Sequence, residues 1–210
     1  KVVTIAVYIF MLRDHSPIIQ SYHYTKQDNL RRLSAIDNVS VPTFAYITDS
    51  AELDNQDLIY PVIARFVTLQ EDGADSSLAG KSLSVPKIDS LASLRSVIDQ
   101  HLKYYDGVII QRYINPVKSG VVFTSVNRVT IEYSNDSEGV TAGTATVSDC
   151  EYQRPGTLAD SEFSDLLGQV ELVCAEFGND VDIEWVYDGQ QFWLVQVRPI
   201  TAELEISLDQ

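Results

Sequence analysis

The feature that most constrains the fold is a hairpin signal in the last part of the chain. Residues 181–187 and 191–197 are two runs rich in β-branched and aromatic residues that also contain Asp182, Glu184 and Gln196, and Asp188-Gly189 lies between the two runs. An Asp-Gly pair in this position is typical of a tight turn between antiparallel strands. The sequence therefore predicts two neighbouring antiparallel strands here, each with one face toward a core.

The polar side chains of this hairpin suggest a chemistry. Successive side chains of a strand point to opposite faces, so Glu184 and Gln196 should share a side and lie near each other if the turn sets the register. Arg198 follows Gln196 on the same face. Hard oxygen ligands beside a guanidinium suit Mg²⁺ bound to a polyphosphate. The alternative is a surface hairpin whose charges are simply solvated.

The rest of the chain alternates helix and strand signals. Amphipathic spacing predicts helices over residues 26–36, 89–102 and 158–177. Strand patterns cover residues 2–10, 39–48, 61–67, 108–114, 120–125, 128–134 and 140–147. This order predicts an α+β protein with two lobes, residues 1–107 and 108–210, and a cleft between lobes is a common place for a ligand.

Composition excludes several classes of protein. The 30 acidic residues outnumber the 15 Lys and Arg and give a formal charge of −15, which argues against binding to nucleic acid. The longest uncharged apolar stretch, residues 2–12, is about half of what a bilayer span requires, so we expect no membrane partner. Cys150 and Cys174 lack metal or redox spacing, and free thiols in a reducing cytoplasm are expected.

A stretch of small and hydroxyl residues, 71–82, has no helix or strand period and ends at Gly-Lys-Ser. A loop of this kind can present backbone N–H groups to phosphates. It does not have the spacing of a Walker A motif, and an ordinary flexible loop is the alternative. Arg65, on the preceding strand, is expected to point into the same region.

Seven segments, in the right order along the chain, resemble a known family. They are Lys26-Gln27-Asp28-Asn29-Leu30, Val41-Pro42-Thr43-Phe44, Ser77-Leu78-Ala79-Gly80, Ile109-Ile110-Gln111-Arg112, Ser119-Gly120-Val121-Val122-Phe123-Thr124, Asp182-Ile183-Glu184-Trp185 and Leu194-Val195-Gln196-Val197-Arg198-Pro199-Ile200-Thr201. The pattern resembles the nucleotide-binding domain of the phosphoenolpyruvate-utilising enzymes, such as pyruvate phosphate dikinase and phosphoenolpyruvate synthase.

The resemblance implies a two-lobed ATP-grasp fold with mainly antiparallel sheets and Mg·ATP between the lobes. Lys26, Arg65 and Arg198 would contact phosphates and carry the catalytic role, and Glu184 and Gln196 would be the Mg²⁺ ligands. The remaining nucleotide-binding positions implied are Ser77, Gly80, Lys81, Ser82, Gln111, Arg112 and Tyr113. Catalysis in such a site would come mainly from positioning and charge neutralisation.

Two departures from the family pattern leave an alternative open. Arg65 is followed by the bulky Phe66 and Val67 instead of small hydroxyl residues, and a glycine-rich turn is replaced by residues 134–139. His15, His23 and His101 match none of the family's motifs.

We therefore expect a kinase- or dikinase-like phosphotransferase whose acceptor is another domain, another chain or a small molecule. The alternative is a degenerate, inactive module with a structural or binding role in a larger assembly. A third class, the ATP-grasp ligases that join a carboxylate to an amine, lacks support from these motifs.

Overall fold

A computed structural model describes residues 25–68, 83–135, 148–154 and 161–200. In these ranges the chain forms three α-helices, α1 (Lys26–Ser34), α2 (Leu91–His101) and α3 (Ser164–Phe177), and nine strands. The strands are β1 (Phe44–Ile47), β2 (Val62–Val67), β3 (Ser84–Ile88), β4 (Gly107–Arg112), β5 (Lys118–Thr124), β6 (Arg128–Ser134), β7 (Ser148–Gln153), β8 (Val181–Tyr187) and β9 (Phe192–Pro199). Two short 3₁₀ turns, Ser50–Asn55 and Leu102–Tyr104, complete the described elements.

The first four strands form one antiparallel sheet in the order β1-β4-β2-β3, here called the first sheet. Its outer face packs against α2. The core between them is built from the fully buried Phe66, Leu94, Ile98, Val108 and Ile110 together with Ile47 and Val62. Because Phe66 is buried on this outer face, strand alternation turns Arg65 and Val67 toward the opposite, inner face.

The remaining strands form a five-stranded antiparallel sheet in the order β7-β6-β5-β8-β9, here called the second sheet. One face packs against α3 around the fully buried Trp185, whose ring meets Phe163 and Phe192 at centroid distances of 5.8 and 5.4 Å. The opposite face carries Asp182 and Glu184 on β8 and is polar. Burial of the apolar face against α3 stabilises the second sheet, so the face that carries Asp182 and Glu184 is not required for this core.

Helix α1 ties the two sheets together. Its first turn is closed by a capping box, in which Thr25 accepts from the Asp28 backbone N–H and Asp28 accepts from that of Thr25. Leu30 and Leu33 pack into the same core as β8 and β9. A backbone hydrogen bond of 2.8 Å from Leu194 N–H to Ser40 C=O follows just beyond the helix. The inner faces of the sheets therefore meet beside α1.

The predicted α+β class with antiparallel sheets is confirmed, and β6 and β8 have the predicted bounds. The strand predicted over residues 2–10 and the one over 140–147 lie outside the described residues. Strand β7 was not predicted: it alternates exposed and half-buried residues at the edge of the second sheet, so its apolar signal is weak. Helix α3 begins at Ser164, later than predicted.

The division into lobes at residue 107 stays a prediction. Gly107 begins β4, which pairs with β1 and β2, and the chain passes from the first sheet to the second between Arg112 and Lys118. Within the described ranges, no helix is long and apolar enough to cross a membrane.

Candidate functional site

The inner faces of the two sheets approach each other at Arg65 of β2 and Glu184 of β8. Arg65 Nη1 lies 3.6 Å from Glu184 Oε2, and the side chains are 25% and 38% exposed. The Nε of Arg65 is buried and makes no hydrogen bond within the part of the chain that the structure describes. A buried donor without a partner is costly, so this guanidinium has donor capacity left for a further acceptor.

Glu184 lies directly opposite Gln196 in the pairing of β8 with β9. The hairpin pattern predicts this juxtaposition, and the structure confirms it. The register shifts immediately afterwards, where Trp185 pairs with Leu194 and Val195 is left as a bulge. Bulges redirect side chains and are frequent beside functional sites. The assignment of Glu184 and Gln196 as metal ligands stays a prediction.

One step along the same face, Asp182 of β8 lies opposite Arg198 of β9. Arg198 Nε donates to Asp182 Oδ2 at 2.5 Å, and the Asp182 side chain is buried whereas that of Arg198 is exposed. The hairpin pattern predicts Arg198 beside Glu184 and Gln196 but gives no role to Asp182. The alternation of β8 was the available signal, because it puts Asp182 on the same face as Glu184.

The donor set on this face matches the oxygen ligands that Mg²⁺ takes in proteins. The described residues hold no group of three or more His, Cys, Asp or Glu side chains arranged for a metal. Glu184 offers one carboxylate, Gln196 offers an amide oxygen, and Asp182 already accepts from Arg198. Mg²⁺ in proteins is commonly held by one or two carboxylates, with water and substrate phosphates completing its octahedron.

Lys26 occupies the first turn of α1 at one end of the inner face. It borders a cavity of about 140 Å³ whose lining is Thr25, Lys26, Gln27, Asp28, Tyr46, Val67 and Thr68. Val67 lies two residues after Arg65 on β2, so both approach the same face, roughly 7 Å apart along the strand. Burial, followed by the charges of Asp106 and Glu52, raises the pKa of Tyr46 and keeps its hydroxyl protonated.

Three nucleotide-binding positions that the resemblance implies, Gln111, Arg112 and Tyr113, lie at the end of β4 and just beyond it. Gln111 is 1% exposed, and its amide donates to Val195 C=O at 3.5 Å, which joins β4 to the bulge of β9. The Arg112 guanidinium lies 5.8 Å from the centre of the Trp193 ring. Tyr113 lies beside Lys87, whose Nζ is 5.9 Å from its ring.

An open cavity of about 480 Å³ adjoins these residues, lined by Pro61, Lys87, Asp89, Arg112, Tyr113, Ile114, Asn115 and Asp188. Its volume lies in the range of small-molecule sites. Although burial acts to raise the pKa of Asp188, hydrogen bonds from Gln191 N–H, Trp193 Nε1 and Gln190 N–H outweigh it and lower that pKa. Asp188 therefore presents a negative charge at the turn of the hairpin.

The bulky residue that follows Arg65 does not obstruct the site. Phe66 is fully buried on the outer face of the first sheet, where its ring meets His101 and Tyr105 at centroid distances of 5.6 and 5.2 Å. Val67 does lie on the inner face, beside Lys26. His101 thus packs behind the first sheet. His15 and His23 lie outside the described residues, as do Ser77, Gly80, Lys81 and Ser82 of the predicted phosphate loop.

Two kinds of comparison bear on the family. Residues 126–208 match the family model described as pyruvate phosphate dikinase, AMP/ATP-binding domain. This match supports nucleotide binding, and it contains β8 and β9 with Asp182, Glu184, Gln196 and Arg198. No curated protein matches the sequence significantly.

Solved structures show the same fold at low identity. D-alanyl-alanine synthetase A from Vibrio cholerae matches with a TM-score of 0.54 and 10% identity over 88% of this chain and 57% of that one. N5-carboxyaminoimidazole synthetase from Staphylococcus aureus, complexed with ADP, matches with a TM-score of 0.54 and 14% identity over 86% of this chain and 45% of that one. A RimK domain protein ATP-grasp from Sphaerobacter thermophilus matches with a TM-score of 0.50 and 15% identity over 82% and 57%.

The chain spans about half the length of these structural relatives. At such low identity the likeness shows the fold alone, and the family model matches only the C-terminal part of the chain. The chain therefore has an ATP-grasp fold, and its C-terminal part, residues 126–208, resembles the AMP/ATP-binding domain of pyruvate phosphate dikinase.

Proposed function

We propose that this chain binds Mg·ATP between its two sheets and serves a kinase- or dikinase-like phosphotransferase. The observation that carries the proposal is the approach of Arg65 to within 3.6 Å of Glu184, which lies directly opposite Gln196. A phosphate-binding cation from one sheet and two oxygen ligands from the other meet at one point. An anionic ligand that carries a bound divalent cation would pair with Arg65 through its negative charge and with Glu184 and Gln196 through the cation.

The polar and charged side chains on the inner faces would bind different parts of Mg·ATP. Glu184 and Gln196 would hold Mg²⁺, which supplies neutralisation of negative charge on the phosphate oxygens. Arg65 would donate to phosphate oxygens through the Nε and Nη groups, and its unpartnered Nε supports this assignment. Lys26 and Arg198 would extend the cationic surface on either side of the pair. The phosphate loop with Ser77, Gly80, Lys81 and Ser82 would supply further donors.

The base would lie toward β4, where Gln111, Arg112 and Tyr113 adjoin the cavity beside the hairpin turn. Arg112 and Trp193 present cationic and aromatic surfaces there, both of which stack well on planar rings. Because Gln111 uses its amide to hold Val195, its part in base binding would be to position β4 rather than to donate to the base. The acceptor is another domain, another chain or a small molecule.

Thermal unfolding with and without Mg·ATP tests binding. A ligand at a hundred times its Kd stabilises a protein by about 2.7 kcal/mol, and a domain of this size gains about 2–4 °C per kcal/mol. We expect a rise in Tm of roughly 5–10 °C that is lost in Arg65→Ala and Glu184→Ala. The matched control is Glu151→Ala, an exposed carboxylate on the same sheet. An unchanged Tm with every nucleotide would refute the proposal.

Labelled ATP tests turnover once binding is established. Release of ADP or AMP together with a labelled acceptor supports the phosphotransferase. Binding without product from any acceptor, including further chains of the same assembly, would identify the alternative, a catalytically inactive module.

A further inference from the structure

The pair formed by Arg65 and Glu184 joins two side chains that the proposed function assigns to different ligands. Arg65 belongs to the first sheet and is assigned to phosphate, whereas Glu184 belongs to the second sheet and is assigned to the metal. At 3.6 Å between Nη1 and Oε2, each side chain neutralises the other. The pair also links the two sheets directly across the cleft.

We propose that this ion pair is a latch that makes nucleotide and metal bind together rather than separately. The inference rests on the proposed function and adds to it an energetic coupling between the two ligands. In the free protein the latch is closed. It opens at little cost only when phosphate replaces Glu184 as the partner of Arg65 and Mg²⁺ replaces Arg65 as the partner of Glu184.

A metal-free nucleotide meets an unfavourable charge arrangement at this latch. To pair with phosphate, Arg65 must give up Glu184, whose carboxylate then lies beside the incoming polyanion without a cation. Two like charges a few ångströms apart repel strongly where water is partly excluded. The same reasoning applies to Mg²⁺ alone, which would take Glu184 and leave Arg65 facing a divalent cation.

Because Arg65 is largely buried, the exchange of Glu184 for phosphate as its partner has a large effect on the binding free energy. Arg65 is three-quarters buried and its Nε already lacks a hydrogen bond, so water does not readily replace a lost carboxylate. The pair of Arg128 and Glu151 has nearly the same separation, 3.5 Å, but its side chains are 56% and 51% exposed. Water solvates both partners of that exposed pair, and such pairs contribute little. Glu151 therefore provides a matched control on the same sheet.

The test is a double-mutant cycle read by nucleotide affinity and not by activity. Isothermal titration measures the Kd of ATP in excess EDTA and in saturating Mg²⁺ for the wild type, Glu184→Gln, Arg65→Gln and the double variant. We expect Glu184→Gln to tighten metal-free binding about three- to tenfold and to lose most of the Mg²⁺ dependence. In the Arg65→Gln background the same change should give a clearly smaller gain, because only the repulsion between Glu184 and phosphate remains and no ion pair has to open. Glu151→Gln should resemble the wild type.

Any one of three results would refute the proposed coupling between nucleotide and metal binding. Metal-free affinity unchanged by Glu184→Gln, or an equal gain in the presence and absence of Arg65, would show that the pair does not couple the ligands. The second result would indicate simple repulsion between Glu184 and phosphate. Failure of the wild type to bind Mg·ATP would instead refute the proposed function, and the latch with it. Circular dichroism checks that each variant is folded, and Glu184→Ala replaces Glu184→Gln if that variant is not.

Discussion

Gly120 allows β5 and β6 to approach closely in the middle of the second sheet, and its replacement gives a sharp test of the packing. A Cβ atom built at this position would lie 2.0 Å from the Glu132 carbonyl oxygen and 2.8 Å from the Tyr133 Cα. Both contacts are backbone atoms of β6, so no side-chain rotation relieves them. β5 is also paired with β8 on its other side, and Gly120 lies opposite Trp185.

The loss of stability expected for Gly120→Ala follows from these distances. An ordinary contact needs about 3.4 Å, so Gly120→Ala must move the strands apart by more than 1 Å or twist one of them. Overpacking of this kind typically costs about 1–3 kcal/mol, and disturbed ladder hydrogen bonds place Gly120→Ala at the upper end. The corresponding fall in Tm is roughly 5–10 °C for a domain of this size.

Gly168 in α3 supplies the opposite control. Nothing lies within 4 Å of a Cβ built there, and the residue is exposed within a helix. Gly168→Ala should therefore stabilise the protein by about 0.5–1 kcal/mol, because alanine favours the helix and restricts the unfolded chain. Urea unfolding of the two variants measures both effects. If Gly120→Ala proves neutral while Gly168→Ala stabilises, the close approach of β5 and β6 is wrong.

Three further predictions concern the capping box, a carboxylate and a thiol. Thr25→Ala should cost about 1 kcal/mol in urea unfolding because it removes the acceptor for the Asp28 N–H at the start of α1; Thr25→Ser, which keeps the hydroxyl, should recover most of it. Since hydrogen bonding lowers the folded-state pKa of Asp188, its contribution is present above the unfolded pKa and is lost as pH falls through the folded one. The stability difference between wild type and Asp188→Asn should therefore shrink in the acidic range below about pH 4, and a difference independent of pH would contradict the assignment. Burial raises the pKa of the Cys174 thiol, so Cys174 should react with a thiol reagent only after unfolding, in a Cys150→Ser background; rapid labelling of the native protein would show that α3 is not packed as described.

The hairpin that constrains the fold was predictable because its signals are local. Alternation and the Asp-Gly turn act over a few residues and predict the two strands and their pairing, whereas the bulge at Val195 that brings Gln196 opposite Glu184 is seen only in the structure. The helix start at Ser90 was predictable for the same reason, since its side chain caps the Ser93 N–H. The prediction of Arg65 in this site depended instead on the family resemblance.

Other features could not be predicted from local pattern. Phe66 counted against the site in the sequence, but its outward orientation depends on α2 covering the outer face of the first sheet. The hydrogen bonds from Arg198 to Asp182 and from Gln111 to the Val195 carbonyl likewise depend on how the strands align. Edge strand β7 is defined by its pairing with β6 more than by its own composition.

The sequence by itself determined the α+β class and the C-terminal hairpin, because periodicity and turn chemistry are properties of neighbouring residues. The bulge at Val195, which puts Gln196 on the same face as Glu184, was decided by the tertiary structure. Only the tertiary structure decided that β4 would pair with β1 and β2, and that Arg65 would meet Glu184 across the two sheets. These contacts join residues far apart in the chain. Which of them form depends on how all apolar faces are buried together, and no short segment contains that information.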